Sequence, residues 1–209
     1  MTTDRFPVKP ALTLALIGLA AAVLLAGLNA LTSDRISRAQ DQRALETLTR
    51  VLPPERFDNP VASDWTELDI NGLDRPARVY RARLDGQPSA AIIDLTTPQG
   101  YSGDIRLLVA LTPEADIISV RVLEHRETPG LGDRIEARRS DWIEQFSGKS
   151  LTDPPPENWA SSRRGGAFDT LTSATITSSA VIDAVERSLR AYENAREQVW
   201  QAPSMADGL

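Results

Sequence analysis

Alternating and continuous apolar segments in the middle of the chain predict an antiparallel sheet. Residues Ala77–Leu84 and Gln87–Leu95 flank an Asp-Gly dipeptide, which is favoured in β-hairpin turns. Residues Asp104–Leu111 and Ile117–Glu124 flank a Pro-Glu-Ala-Asp turn in the same way. Two adjacent hairpins place four strands side by side, so an antiparallel sheet is expected here.

Apolar residues at helical spacing predict two helices after the strands. The first lies around Asp133–Phe146, and the second runs from about Ser178 to Val199. Residues 151–166 between them contain three consecutive prolines and a Gly-Gly pair, which is typical of a loop. The expected apolar positions of the first helix are Ile135, Trp142, Ile143 and Phe146, and those of the second are Val181, Val185, Leu189 and Tyr192.

The second helix also carries two charge pairs at i,i+4 spacing. Asp183 precedes Arg187 by four residues, and Glu186 precedes Arg190 by four. Side chains four apart lie on the same face of a helix, so both pairs are expected to form ion pairs.

The N-terminal third has a different pattern. Residues Ala11–Leu31 are almost wholly apolar, and about 20 helical residues span the roughly 30 Å hydrocarbon layer of a membrane. A cleavable signal peptide is the alternative, because Leu28-Asn29-Ala30 resembles a cleavage site. The apolar segment exceeds the usual signal core, which favours an uncleaved anchor.

An amphipathic helix is predicted directly after the anchor. Ile36, Leu45, Leu48 and Leu52 share one face, and Pro53-Pro54 ends the pattern. This helix is interpreted either as a stalk or as the first helix of the domain.

Composition narrows the chemistry that the chain can carry. The 209 residues include no cysteine and one histidine, His125, which excludes disulfides, thiolate nucleophiles and cysteine-ligated clusters. A formal net charge of −6 argues against nucleic acid as a partner, since such proteins need a basic face. Any redox chemistry therefore needs an organic cofactor.

A hydroxyl-rich segment, Asp169-Thr170-Leu171-Thr172-Ser173-Ala174-Thr175-Ile176-Thr177-Ser178, leads into the last helix. One hydroxyl suffices to cap a helix, but five occur between Thr172 and Ser178. Taken alone, the segment is either a Ser/Thr-rich cap or a phosphate site, since a helix N-terminus favours an anion. Arg163 and Arg164 shortly upstream either neutralise such a phosphate or are solvated loop charges.

The segment Asp169-x-x-Thr172-Ser173-Ala174-Thr175 resembles the flavinylation motif Asp-x-x-Ser/Thr-Gly-Ala-Thr of covalent FMN-binding domains. Such domains occur in the G subunit of the Rnf (or Rsx) ion-translocating electron transport complex and in the C subunit of the sodium-pumping NADH:quinone reductase. The chain departs from the motif at Ser173, where the family has glycine. Glycine at that place indicates a positive φ or a close backbone approach.

Two further segments resemble the same family in the same order. Gly100-Tyr101-Ser102-Gly103-Asp104-Ile105 is similar to its Gly-Tyr-x-Gly-x-Ile segment. His125-Arg126-Glu127-Thr128-Pro129-Gly130-Leu131-Gly132 is similar to its His-x-Glu-Thr-Pro-Gly-Leu-Gly loop. The resemblance covers essentially the whole chain, and the length favours the Rnf protein over the sodium-pump protein.

The resemblance implies FMN joined by a phosphodiester to Thr175. For His125 it implies a role in shaping the flavin pocket, and Tyr101 is expected either to stack near the isoalloxazine or to fill core. The implied cofactor-binding residues are Thr175, Asp169, Thr172, Ser173, Ala174, Thr177, Tyr101, Gly103, His125, Glu127, Thr128, Gly130, Leu131 and Gly132.

The expected fold class is α+β: one transmembrane helix, then one FMN-binding domain with an antiparallel-rich sheet flanked by helices. The expected parts are a cytoplasmic N-terminus (1–10), the anchor (11–31), a connecting helix (32–54), the FMN-binding domain (55–200) and a flexible tail (201–209). No metal site and no catalytic residue of its own are expected.

The implied function is electron relay within an ion-translocating oxidoreductase complex. Implied partners are the other Rnf subunits, the membrane and a periplasmic, Mg²⁺-dependent flavin transferase that takes FMN from FAD. The implied location is the inner membrane, single-pass, with the soluble domain in the periplasm. Alternatives are the sodium-pump protein or another FMN-domain redox protein and, from a different class, a cofactor-free anchored interaction module.

Overall fold

The computed structural model describes residues 45–73 and 75–205, together with Gly18. Within these residues one antiparallel sheet has its five strands in chain order. The expected α+β class with an antiparallel sheet is therefore confirmed for the domain. The strands are β1 (Trp65–Leu68), β2 (Ala77–Leu84), β3 (Gln87–Gly100), β4 (Gly103–Leu111) and β5 (Ile117–Glu124).

Both predicted hairpins form. Leu84 of β2 faces Gln87 of β3, and the turn residues Asp85 and Gly86 have φ values of 52° and 74°. Positive φ at both central positions is the geometry for which Asp-Gly is favoured. In the second hairpin, β4 pairs with β5 in antiparallel register. Strand β3, which belongs to the first hairpin, extends five residues beyond its predicted end at Leu95.

Both faces of the sheet are buried, and successive residues of the central strands alternate between two cores. On β4, Leu107 and Val109 belong to the larger core, whereas Leu108 and Ala110 belong to the smaller one. The side-chain period of two in a strand produces this division. The continuous apolar segment from Leu107 to Leu111 is typical of a strand that is covered on both sides.

One long helix, α1 (Thr175–Gln201), covers the larger core and contacts β3, β1 and β4. Its predicted apolar stripe, from Val181 to Tyr192, is fully buried. The helix begins three residues before the predicted start, which makes Thr175 its first residue.

Of the two predicted charge pairs on α1, one is confirmed and one is wrong. The predicted pair of Glu186 and Arg190 forms, with 2.7 Å between Glu186 Oε1 and Arg190 Nη2. The Asp183 carboxylate instead pairs with Arg164 at 3.3 Å, and Arg187 Nε donates to the Asp183 carbonyl.

The single helix predicted around Asp133–Phe146 is also wrong. Two 3₁₀ helices, Gly132–Ile135 and Trp142–Phe146, are separated by turns. Ser140 Oγ donates to the Arg134 carbonyl at 2.6 Å and accepts from the Trp142 N–H at 3.3 Å. A side-chain hydroxyl that bonds the backbone in this way competes with helical hydrogen bonds. The four expected apolar residues are nevertheless buried.

The smaller core is closed by the segment before β1. Of the connecting helix predicted over residues 32–54, the structure describes the part from Leu45 onward. In this part the helix ends at Leu48, five residues before Pro53. Leu48, Val51 and Leu52 are buried against the sheet, whereas Leu45 is exposed. Ser119 Oγ of β5 donates to the Val51 carbonyl at 2.6 Å. The end of this segment is therefore part of the domain.

The predicted anchor Ala11–Leu31 lies outside the described residues, apart from Gly18. Among the residues that are described, no helix has both the length and the apolar character to cross a membrane.

Buried side chains fix the connections and the end of α1. Phe146, Trp159 and Phe168 stack within the loop region, with ring centroids 4.5–6.5 Å apart. Arg81, buried on β2, donates to the Val199 carbonyl at 3.1 Å and so satisfies the last turn of α1. Within the predicted flexible tail, Ser204 Oγ donates to the Ser63 carbonyl at 2.8 Å, and residues 206–209 lie outside the described residues.

Candidate functional site

Three segments that are far apart in sequence meet at the Glu127 carboxylate. Its Oε1 accepts a hydrogen bond from the Ser102 N–H at 3.1 Å. Its Oε2 accepts one from Thr177 Oγ1 at 2.6 Å. Glu127 is 5% exposed and Thr177 1% exposed. One buried side chain thus joins the segments 100–105, 125–132 and 169–178.

Two glycines make room for this carboxylate. A Cβ on Gly100 would lie 2.7 Å from Glu127 Oε1, and a Cβ on Gly132 would lie 2.8 Å from Oε2. Neither glycine has a positive φ, so close approach accounts for both. Gly103 and Gly130, by contrast, have φ values of 110° and 79° and form turns.

The segment around Thr175 ends in a tight turn against the start of α1. Ser173 has φ 66°, the left-handed conformation that the expected glycine would adopt without strain. Ala174 is the N-cap residue, and no side chain caps the helix. Thr175 is half-buried, while Thr172 and Ser173 are exposed. The N–H groups of the first turn and the Thr175 hydroxyl therefore lie together at the helix N-terminus.

Two hydroxyl residues of the segment, Thr177 and Ser178, are buried and hold the turn. Ser178 Oγ donates to the Ala174 carbonyl at 2.9 Å and accepts from the Leu171 N–H at 3.0 Å. Thr177 is bonded to Glu127, as described above. The interpretation of the segment as a Ser/Thr-rich N-cap is therefore wrong, because the N-cap residue is an alanine.

Asp169 is positioned through its backbone. Its N–H donates to Gln145 Oε1 at 2.7 Å, and its carbonyl accepts from Trp142 Nε1 at 2.8 Å. Both partners belong to the 3₁₀ helix Trp142–Phe146, and the Asp169 side chain is exposed. The sequence pattern did not indicate these two partners.

His125 has a defined tautomer. Nδ1 accepts a hydrogen bond from the Glu127 N–H at 3.1 Å, so the ring proton is on Nε2, which lies 2.9 Å from Glu136 Oε1. Hydrogen bonds from Arg138 first and His125 second lower the pKa of Glu136 to about 2. His125 therefore supports the Glu127 backbone, which fits the expected role in shaping the site.

Three exposed apolar side chains are next in sequence to residues that lie against the Glu127 carboxylate. Tyr101, next to Ser102, is 69% exposed; Ile176, next to Thr177, is 54% exposed; and Leu131, next to Gly132, is 42% exposed. Tyr101 therefore does not fill core. Ile176 was not predicted, although the apolar stripe of α1, continued backwards, leaves position 176 on the outer side of the helix.

A cleft of about 960 Å³ adjoins two of the three segments. Ser102, Gly103 and His125 contribute to its wall, and Thr175 does not. Four arginines and four acidic residues also line it, so its charge is balanced: Arg75, Arg106, Arg126, Arg138, Asp94, Asp104, Glu124 and Glu136.

Of the two arginines upstream of Thr175, Arg164 forms an ion pair with Asp183 at 3.3 Å, and Arg163 is exposed.

The Thr128 carbonyl accepts hydrogen bonds from the Leu131 and Gly132 N–H groups at 3.2 and 3.1 Å. These bonds close the turn that leads into the 3₁₀ helix Gly132–Ile135. Among residues 45–73 and 75–205, no cluster of three acidic or histidine side chains is placed to hold a metal ion.

The residues present fit a phosphate-bearing flavin. An uncapped helix N-terminus supplies free N–H groups for the phosphate, and the half-buried Thr175 is the first residue of that helix. Exposed Tyr101, Leu131 and Ile176 offer apolar surface for a planar ring.

Comparisons with known proteins agree with this geometry. A family model described as FMN-binding domain matches residues 100–190, and one described as RnfG N-terminal region matches residues 1–51. These two matches cover all three segments and the N-terminal region.

Full-length relatives share the same description. The ion-translocating oxidoreductase complex G subunit of Pseudomonas aeruginosa (strain UCBPP-PA14) is 43% identical, over 99% of this chain and 97% of the relative. The G subunit of Aliivibrio fischeri (strain ATCC 700601 / ES114) is 39% identical, over 93% and 94%. That of Vibrio cholerae (strain ATCC 39541 / Classical Ogawa 395 / O395) is 36% identical, over 96% and 97%.

Among solved structures, the crystal structure of Shewanella oneidensis NqrC is similar, with a TM-score of 0.48 and 23% sequence identity. The similarity covers 69% of this chain and 72% of that chain. A similarity at this level carries no argument about function.

Proposed function

The chain belongs to the family of the G subunits of ion-translocating oxidoreductase complexes, and from this membership we propose that it relays electrons through one FMN joined covalently to Thr175. The relay role within the Rnf complex follows from the relatives and from the match to the FMN-binding domain. The covalent bond is the finer part of the proposal. The observation that carries it is the place of Thr175, half-buried and first in a helix that no side chain caps.

The chain's own residues supply the electrostatics of attachment. The first turn of α1 has free N–H groups and the positive end of the helix dipole, which favour a phosphate at Thr175. Ser173 turns the chain away from the helix axis through its positive φ, and Ala174 adds only a methyl group. A phosphodiester at Thr175 would thus meet N–H donors, with the small residues Ser173 and Ala174 preceding it.

Flavin transfer from FAD balances as a substitution at phosphorus. The bond between Thr175 Oγ1 and the FMN phosphorus forms, the phosphoanhydride bond breaks, and AMP leaves with the proton of the hydroxyl. A separate flavin transferase catalyses this step, in keeping with the family resemblance.

When bound, FMN supplies electron transfer, which no side chain of this chain can supply. Tyr101, Leu131 and Ile176, which are exposed, would offer apolar surface to its ring system. Covalent attachment keeps the cofactor on the protein during turnover. Electrons thus pass between the flavin and iron–sulfur subunits of the complex through a fixed carrier.

The proposed location is the inner membrane. Residues 11–31 anchor the chain there, with residues 1–10 in the cytoplasm and the domain in the periplasm, where the transferase acts. Protease added to spheroplasts that retain an intact inner membrane would then digest the domain. Protection of the domain until the membrane is lysed would contradict this orientation.

Replacement of Thr175 tests the covalent bond. We expect Thr175→Ala, coexpressed with the transferase, to show no flavin fluorescence in a denaturing gel, while wild type fluoresces. Ser179→Ala, which removes a hydroxyl one turn further along α1, is the matched control and should fluoresce like wild type. Equal fluorescence of Thr175→Ala and wild type would refute the assignment.

A further inference from the structure

Glu127 is a buried carboxylate with no cationic partner. Within residues 45–73 and 75–205, no lysine, arginine or histidine forms an ion pair with it. Its two oxygens instead accept hydrogen bonds from the Ser102 N–H and the Thr177 hydroxyl. Burial of such a group is costly unless hydrogen bonds and local dipoles compensate for it. The nearby N-terminus of α1 provides a favourable dipole.

The bond to Thr177 fixes the rotation of the first turn of α1. Successive helical residues are about 100° apart, so residues 175 and 177 lie about 200° apart around the axis. Thr177, bonded to Glu127, is 1% exposed, and Thr175 is half-buried. With Thr177 held inward by Glu127, Thr175 lies on the other side of the first turn, where it is half-buried.

The same bond ties this turn to the two other segments. A Cβ on Gly132 would lie 2.8 Å from Glu127 Oε2, and a Cβ on Gly100 would lie 2.3 Å from the Gly103 carbonyl oxygen and 2.7 Å from Glu127 Oε1, so neither position has room for a side chain. Tyr101 and Leu131, adjacent to Ser102 and Gly132, therefore keep fixed positions relative to Thr175. The Glu127 carboxylate sets the positions of both the Thr175 hydroxyl and the apolar surface beside it.

We propose that Glu127 and Thr177 are positioning residues for flavin attachment, which hold the first turn of α1 so that the Thr175 hydroxyl is presented to the transferase. In this proposal both residues act through the position of Thr175. The inference rests on the proposed attachment of FMN to Thr175.

The experiment measures the initial rate of flavin incorporation into purified, flavin-free, full-length variants by a flavin transferase supplied with FAD and Mg²⁺. Thr177→Val keeps the shape but removes the hydroxyl, and Thr177→Ser keeps the hydroxyl. Ser188→Ala is the matched control, because Ser188 is a fully buried serine of the same helix whose hydroxyl donates to the Val185 carbonyl. Thermal unfolding of each variant shows that it is folded at the assay temperature.

We expect Thr177→Val to incorporate flavin about tenfold more slowly or worse, because small misplacements of a reacting group have effects of this order. Thr177→Ser and Ser188→Ala should retain a rate near that of wild type. Incorporation into Thr177→Val at the wild-type rate, or equal slowing by Ser188→Ala, would overturn the positioning role.

A second pair of variants tests the other partner and serves if Thr177→Val does not fold. Glu127→Gln retains an acceptor for Ser102 and an amide that donates to the Thr177 hydroxyl, so it should stay near the wild-type rate. Glu127→Met has similar length without either bond and should be slow. Equal rates for the two variants would overturn the inference. If wild type itself acquires no flavin, the proposed function fails; if wild type is labelled and the rates do not separate, only the positioning role fails.

Discussion

The sheet and the Thr175 end of the molecule are held together in different ways. Each central strand of the sheet is covered on both faces, so many side chains share the stabilisation. At the other end, three segments meet at one buried carboxylate, with one hydrogen bond to each of two distant segments. Many buried side chains therefore stabilise the sheet together, whereas the arrangement of the candidate site depends on a few hydrogen bonds. Substitutions in the two regions should change different properties.

The largest effect on stability is expected from Leu108→Ala. Leu108 is fully buried in the smaller core, on the face of β4 opposite to α1. Leucine-to-alanine changes in cores cost about 2–5 kcal/mol, because transfer and cavity terms add. Urea unfolding should show this loss, while the folded protein still incorporates flavin at Thr175. Loss of incorporation in the folded variant would show that the two regions are not separate.

A smaller effect, of opposite sign, is expected from Ser173→Gly. A non-glycine residue in the left-handed conformation costs about 1–2 kcal/mol, and the greater freedom of glycine when unfolded offsets about 0.4–1 kcal/mol. A net gain of about 0.5–1 kcal/mol in the free energy of unfolding should result. Flavin incorporation should be at least as fast as in wild type.

Ser173→Ala is the control for this prediction, since alanine keeps the Cβ that is strained at φ 66°. It should show no gain in stability. Equal stabilisation by alanine and glycine would mean that the positive φ is not the cause.

The smallest effect is expected in the pH dependence of the free energy of unfolding. The pKa of Glu136 is lowered from 4.5 to about 2 in the folded protein, chiefly by Arg138 and then by His125. A lowered folded pKa adds stability that is fully present above pH about 4.5 and is lost as pH falls towards 2. Glu136→Gln should flatten this part of the stability curve in chemical unfolding at several pH values. An unchanged slope would show that Glu136 does not contribute.

Features that depend on local sequence could be predicted, whereas features that depend on single hydrogen bonds of the folded chain could not. The turn residues Asp85-Gly86 and the apolar strands around them specify the first hairpin locally, and it formed in the expected register. The helix around Asp133–Phe146 failed because the Ser140 hydroxyl bonds the backbone, and apolar spacing does not report such bonds. Strand β1, only four residues long, had no separate signal in the sequence.

In the candidate site, one feature was predicted from the sequence and another was not. The family's glycine at position 173 indicated a positive φ or a close approach, and Ser173 has the positive φ. The meeting of Glu127, Ser102 and Thr177 was not foreseeable, because their sequence separations of 25 and 50 residues depend on the folded topology. The motifs thus predicted the residues of the candidate site, and the fold places some of them, such as Glu127 and Thr177, beneath its surface.

The central claim is a covalent FMN on Thr175, and the most direct test is the intact mass of the full-length protein produced beside an active flavin transferase. We expect a mass larger than that of the polypeptide by one FMN less one water, with the added mass on the peptide that contains Thr175. A mature chain with only the mass of its amino acids, or with the flavin on another peptide, would contradict it.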